Sequence, residues 1–142
     1  MQVKRITEID NNVVDAFKRL MPQLTGRDEW PSYECLYKII SSDTTYLFVA
    51  IDECGDIVGS LTLVLYRIPT NLKGMIEDVV VDADVRGKGV ATLLMSHAIE
   101  TARQCGASKL ELTSKPSRIA ANKMYQKLGF EIRDTNFYRL DL

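Results

Sequence analysis

Arg86, Gly87, Lys88 and Gly89 stand together between the β-prone run Val79-Val80-Val81 and an uninterrupted helical pattern that begins at about Lys88 and runs to Cys105. Two cations beside two residues without a Cβ, at the mouth of a helix, are suited to holding an anion. The first turn of a helix leaves backbone N–H groups without internal partners and carries the positive end of the aligned peptide dipoles. Glycine lets a phosphate approach the main chain closely, and Arg86 and Lys88 add full charges beside it. The alternative is a solvated loop whose glycines only permit a tight turn. Two other nucleotide motifs fit badly. A dinucleotide fingerprint would need glycine at position 92, which is Thr92, and a P-loop would need Lys followed by Ser or Thr, where Lys88 is followed by Gly89.

The elements that must position this loop follow from periodicity. Residues 2–6 alternate as a strand, and Asp10 is placed to cap a helix whose apolar face is Val13, Val14, Phe17, Leu20 and Leu24, ended by Pro22 and Gly26. A short helix from Pro31 follows, running through Leu36, Ile39 and Ile40. TTYLFVAI and IVGSLTLVLY, joined by Glu53-Cys54-Gly55-Asp56, read as an antiparallel hairpin. RIPTNLK reads as a loop and GMIEDVVV as a strand entering the glycine loop. Beyond Gly106, SKLELTS alternates as a strand, SRIAANKMYQKL has helical spacing to Gly129, and FEIRDTNFYRLDL supplies one or two last strands. The expected fold is α/β with a mixed, mostly antiparallel central sheet of six or seven strands flanked by four helices, in the order β-α-α-β-β-β-α-β-α-β(-β).

With 142 residues, 46% of them apolar, the chain fits one compact domain over 1–142. A net charge of −1, with both signs mixed along the length, gives no basic stripe for nucleic acid. No apolar run approaches a membrane span or a signal core, so a soluble cytoplasmic protein is expected. Cys35, Cys54 and Cys105 are far apart, without C-x-x-C spacing and with His97 as the single histidine, which argues against disulfides and a bound metal.

Arg86-Gly87-Lys88-Gly89-Val90-Ala91 matches the Gln/Arg-x-x-Gly-x-Gly/Ala motif of the GNAT superfamily of acetyltransferases. Ala121, Tyr125, Gly129 and Phe130 match its second motif, Ala-x-x-x-Tyr-x-x-x-Gly-Phe, and the element order agrees over essentially the whole chain. The sequence therefore resembles that superfamily. It departs at Arg118, where the family often has Asn, so a cofactor contact made elsewhere by an amide falls here to a guanidinium or is absent.

The resemblance implies direct transfer of acetyl from acetyl-CoA to a primary amine, on a small molecule or a peptide, in a ternary complex. Arg86 to Ala91 would hold the pyrophosphate, the backbone of Val79 and Val81 would pair with the pantetheine arm, and the Val79 N–H would face the thioester carbonyl. A homodimer is expected from the resemblance and from the strand-rich tail, whose edge would otherwise stay unpaired. A non-catalytic acyl-CoA-binding module is the rival from another class, against which Tyr125 and Glu77 both argue.

Attack on a thioester requires an unprotonated amine, hence a base, and then an acid for the departing thiolate. Glu77 and Asp78 are the base candidates. They interrupt an apolar strand, and strict alternation sends Glu77 to the face of Met75, Val79 and Val81 and Asp78 to the other. The competing reading starts the core strand at Val79 and leaves both acids solvated. Tyr125 is the candidate acid, with a packed aromatic as its alternative. His97 reads as packed on the apolar arc of its helix, and the cysteines carry little weight as nucleophiles. Trp30, Tyr33 and the segment from Arg67 to Lys73 flank the expected acceptor side or are rim packing.

Overall fold

The computed structural model describes residues 1–142 in two compact units, Met1–Leu112 and Thr113–Leu142. The first opens with strand β1 (Gln2–Arg5) and helix α1 (Asn11–Thr25). Asp10 caps α1 as expected, its Oδ1 accepting from Val13 N at 2.9 Å. Pro22 does not end the helix. It removes one internal hydrogen bond, but Val13, Phe17, Leu20 and Met21 are buried on the face beneath it and hold the helix together as far as Gly26, whose φ is +72°. Helix α2 (Tyr33–Ile40) starts after Ser32 rather than at Pro31, because the Ser32 hydroxyl accepts from Cys35 N at 3.1 Å.

Strands β2 (Thr45–Ile51), β3 (Ile57–Ile68) and β4 (Asn71–Val81) are followed by a 3₁₀ turn (Ala83–Val85), helix α3 (Val90–Gln104) and strand β5 (Lys109–Glu111). The sheet order is β1-β2-β3-β4-β5, antiparallel except for the parallel pair β4/β5 that α3 connects. One face carries Leu47, Val49 and Val80 against Phe17 and Leu20 of α1 and Leu36 of α2. The other face receives α3. Gly59 makes this possible, since a Cβ there would stand 3.2 Å from Leu94 Cδ1 and 3.3 Å from Val90 Cγ1. His97 is exposed but lies edge-on to the buried Phe48, with 4.7 Å between ring centroids, so packing describes it better than chemistry does.

One strand expectation needs correction in this unit. RIPTNLK is not a loop: Arg67 pairs with Leu72 and Ile68 with Asn71, leaving Pro69 and Thr70 alone to turn the hairpin. Its polar composition suggested a loop, but cross-strand pairing overrides composition at the end of a long hairpin. Both acids lie inside β4, as in the expected strand GMIEDVVV, so the alternative of a core strand that starts at Val79 does not hold.

The second unit contains helix α4 (Ile119–Lys127), and no strand forms in FEIRDTNFYRLDL. The sheet thus has five strands, not six or seven. Alternation alone cannot make a strand; it needs an edge to pair with, and this unit holds only a helix. Ile132, Phe137, Tyr138, Leu140 and Leu142 are left more than two-thirds exposed. No helix of the protein is long and apolar enough to cross a membrane.

Candidate active site

The glycine loop takes the form that its residues suggested. Gly87 and Gly89 have φ of +78° and +80°, in the left-handed region that disfavours a side chain. A Cβ on either would meet nothing within 4 Å, so the space above the loop is open. The helix begins at Val90 rather than Lys88, with Gly89 as its cap. Leu93 N is the first amide to find a helical acceptor, at Gly89 O (3.0 Å), and no side chain caps those before it. By contrast Asp10 caps α1 and Ser32 caps α2. The first turn of α3 therefore presents free backbone donors behind two glycines, with Lys88 exposed beside them. Val90 is buried and anchors that turn to the sheet, while Ala91 is half-buried.

The strand that leads into this loop is irregular where chemistry would be needed. Thr62 pairs with Glu77 but Ser60 pairs with Val80, so β4 spends three steps where β3 spends two. The extra residue is a β-bulge, and Asp78, with φ +50°, is the only non-glycine residue at positive φ. Strict alternation therefore fails. Glu77 shares a face with Val80, opposite Thr62 and Ser60, whereas Val81 lies with Ile76 on the face of Gly59 and Leu63. The expected grouping of Glu77 with Met75, Val79 and Val81 holds for Met75 but fails for Val81, because the bulge shifts the phase of the strand after it. Glu77 and Asp78 are both exposed.

The far edge of β4 is paired only at its start. Its ladder with β5 runs from Lys73 opposite Lys109 to Met75 opposite Glu111, closed by an ion pair between Lys73 and Glu111. From Ile76 onward no strand pairs with β4 on that side. Asp82 N donates to Val58 O on β3 (2.9 Å), so by alternation the main chain of Val81 faces the unpaired edge. Arg86 Nε reaches back to that same Val81 carbonyl at 3.2 Å, which sets the Arg86 side chain along the edge. Glu77, Asp78, Val79, Val81 and the loop through Ala91 thus belong to one continuous stretch bordering an unpaired edge.

Arg118 and Tyr125 belong to the second unit. Arg118 is exposed and precedes α4, its carbonyl accepting from Asn122 N at 2.9 Å and from Asn122 Nδ2 at 2.8 Å. The Asn122 amide also donates to Lys115 O (2.9 Å), so it orders the turn before α4. Tyr125 is 5% exposed, with its ring edge-on to Phe130 at 6.2 Å. Gly129 at φ +99° turns the chain back so that Phe130 N reaches Tyr125 O at 3.0 Å. The Tyr-x-x-x-Gly-Phe spacing is therefore a helix stop that folds the phenylalanine against the tyrosine.

Sequence reasoning missed Arg19, Gln23 and Asp82. Arg19 Nε lies 2.9 Å from Asp82 Oδ2, and Gln23 Oε1 accepts from Ala83 N at 2.9 Å. Burial pushes the Asp82 carboxyl up, but the Asp84 amide, the Arg19 guanidinium and Gln23 outweigh it and hold its pKa below the usual carboxylate value. Local sequence offers one hint, the Asp-x-Asp spacing that lets Asp82 Oδ1 accept from Asp84 N at 3.2 Å. Nothing local points to Arg19, 63 residues away.

The protein is thus a mixed α/β sheet with one bulged, half-paired strand running into an uncapped, glycine-flanked helix that leaves backbone donors free at the edge of the sheet. The chain belongs to the acetyltransferase (GNAT) family, whose model matches residues 13–130, more than half of its length. It is 37% identical over 83 residues to a streptothricin acetyltransferase of Streptomyces lavendulae, covering 58% of this chain and 43% of that protein. It is also 37% identical over 91 residues to a glucosamine 6-phosphate N-acetyltransferase of Trypanosoma brucei brucei, covering 62% and 59%. The matched region thus spans about half the length of these relatives. In fold it is similar to a putative acetyltransferase from Agrobacterium tumefaciens, with a TM-score of 0.87, 22% identity and coverage of 99% of this chain and 100% of that one.

Proposed function

We propose that the protein is an N-acetyltransferase that passes the acetyl group of acetyl-CoA to a primary amine by direct attack in a ternary complex. The observation that carries this reading is the uncapped first turn of α3 behind Gly87 and Gly89, continuous with the unpaired edge of β4. The open space over both glycines and the free amides fit a diphosphate, and an unpaired strand edge fits an amide-bearing arm. The family match runs across the boundary at Leu112, which supports treating 1–142 as one acetyltransferase domain.

In this reading Gly87, Lys88, Gly89, Val90 and Ala91 hold the pyrophosphate with Arg86 as a flanking cation, and the resemblance alone adds Arg118. The main chain of Val79 and Val81 pairs with the pantetheine arm, and Arg86, which donates to the Val81 carbonyl, lies beside that arm. Coenzyme A supplies an activated acyl thioester. Glu77, or Asp78, takes a proton from the acceptor ammonium, directly or through water, and frees the lone pair for attack. The Val79 N–H donates to the oxygen that becomes negative; a donor of this kind lowers a barrier by about 3–4 kcal/mol. The C–N bond forms and the C–S bond breaks; on the resemblance, Tyr125 would give its phenolic proton to the leaving thiolate, and the proton that the attacking nitrogen sheds would restore the phenol, leaving a neutral amide and a free thiol. Asp78, held at positive φ, marks the bulge that takes Asp78 and Val79 out of the regular ladder just after Glu77.

Two of the relatives are named for different compounds, streptothricin and glucosamine 6-phosphate, so the acceptor is proposed only as a primary amine of a small molecule or peptide. A thiol-release assay with acetyl-CoA over a panel of amino sugars, amino acids, polyamines and peptide amines tests the reading. Turnover with one amine class is the expected result. Tight acetyl-CoA binding with no release above background hydrolysis would replace it with a non-catalytic binding module. A homodimer belongs to the same proposal, supported by the exposed apolar tail residues from Ile132 to Leu142. Sedimentation as a monomer would count against it.

A further inference from the structure

The loop that carries the proposed pyrophosphate site has almost no apolar anchorage of its own. Ala83, Asp84 and Arg86 to Gly89 are all exposed, and Val85 is half-buried. Apolar burial therefore cannot fix the path of this segment between Val81 and Val90; polar contacts must. Besides the bond from Arg86 to Val81 O within the segment, such contacts come from α1. Arg19 Nε binds Asp82 Oδ2 at 2.9 Å, and Arg19 Nη2 donates to the carbonyl of Ile57 at the start of β3. One turn further along the helix, Gln23 Oε1 takes the Ala83 amide at 2.9 Å. Asp82 itself, 9% exposed, spends its other carboxylate oxygen on the Asp84 amide, while its own N–H is tied to Val58 O. Three consecutive residues are thus fixed just before the chain reaches the glycines.

We infer that Arg19, Gln23 and Asp82 are positioning residues that aim the cofactor loop, so that helix α1 carries part of the affinity for coenzyme A without touching it. This rests on the acetyltransferase reading above. Stability alone is a poor reason for the arrangement. The Arg19 side chain is 46% exposed, where an ion pair contributes little, and α1 is already secured by Val13, Phe17 and Leu20. What the contacts do decide is the direction in which the chain leaves β4, and hence whether the free amides of α3 and the edge of Val81 lie along one line. Lysine at position 19 could keep the charge but not the two divergent donors that grip Asp82 and Ile57 together.

The test uses the full chain and four variants: Arg19→Met, Arg19→Lys, Gln23→Ala, and the double change Arg19→Met with Asp82→Asn, which leaves no uncompensated carboxylate if Arg19→Met alone fails to fold. Coenzyme A affinity by calorimetry, the KM for acetyl-CoA, kcat and the melting temperature are measured together. Arg19→Met and the double variant are expected to weaken coenzyme A binding by about five- to thirtyfold and to raise the acetyl-CoA KM in step, with kcat within about twofold. Arg19→Lys should recover part of the loss, and Gln23→Ala should cost about threefold. A falling melting temperature with coenzyme A affinity unchanged in all variants would show a merely structural pair and overturn the inference. So would a lowered kcat at unchanged KM. Absence of coenzyme A binding by the wild-type protein would instead overturn the acetyltransferase reading, and this inference with it.

Discussion

Replacing Gly89 with alanine separates the two things the glycine does. At φ +80° a side chain is strained, which costs about 1–2 kcal/mol, while the stiffer unfolded chain returns about 0.4–1 kcal/mol. Because a Cβ at Gly89 would meet nothing within 4 Å, no steric term is added. The net loss of stability is then about 0.5–1.5 kcal/mol. For a chain of 142 residues, at about 2 cal/mol/K per residue, that is a fall of about 2–5 °C in melting temperature. The effect on the ligand should be larger. The new methyl would stand in the open space over the loop and hold an anion away from the free amides of α3, and a hydrogen bond to a charged group contributes about 1.5–3 kcal/mol. Coenzyme A affinity should fall by at least about tenfold by calorimetry. Acetyl-pantetheine, which has no diphosphate, supplies the control: its kcat/KM should change little in Gly89→Ala while that of acetyl-CoA drops. A variant that shows the expected melting shift but keeps full coenzyme A affinity would refute the assignment of the loop to a diphosphate.

Glu77→Gln should lower kcat by about 10²–10⁴ and remove the rise of rate with pH on the acid side, and a pH-rate profile like that of the wild type would exclude Glu77 as base. Tyr125→Phe should slow turnover by about a hundredfold with an unchanged melting temperature; full turnover in a folded variant would return Tyr125 to packing against Phe130. The Asp82 carboxyl has a folded-state pKa below its unfolded value, so the unfolded chain takes up that proton first as pH falls. Its contribution is present in full above about pH 4 and is lost as pH drops through the depressed folded value. Urea midpoints of the wild type and Asp82→Asn should therefore converge toward low pH, and a constant gap from neutral to strongly acid pH would show that the ion pair is not what stabilises the loop.

What the sequence determined by itself is what neighbours along the chain can settle. Asp10 caps a helix because its carboxylate needs only the amide three residues on, and the helical spacing of Val13, Phe17 and Leu20 places an apolar face whatever it meets. Gly87 and Gly89 announce a loop at positive φ, and Gly129 announces a stop. Tertiary structure decided wherever the partner lies far off in sequence. The bulge at Asp78 exists only as a mismatch of register between β4 and β3, so no inspection of β4 alone could show that Val80, and not Val81, shares a face with Glu77. The end of the β3–β4 hairpin and the unformed strands of the tail turned on the same point, since a strand is defined by the edge it pairs with. Arg19 and Asp82, 63 residues apart, were brought together because burying α1 against the sheet sets a guanidinium beside the point where β4 ends. Local hydrogen bonds and periodicity act over a few residues and can be read in order; register and charge pairing depend on packing, which sequence order does not contain.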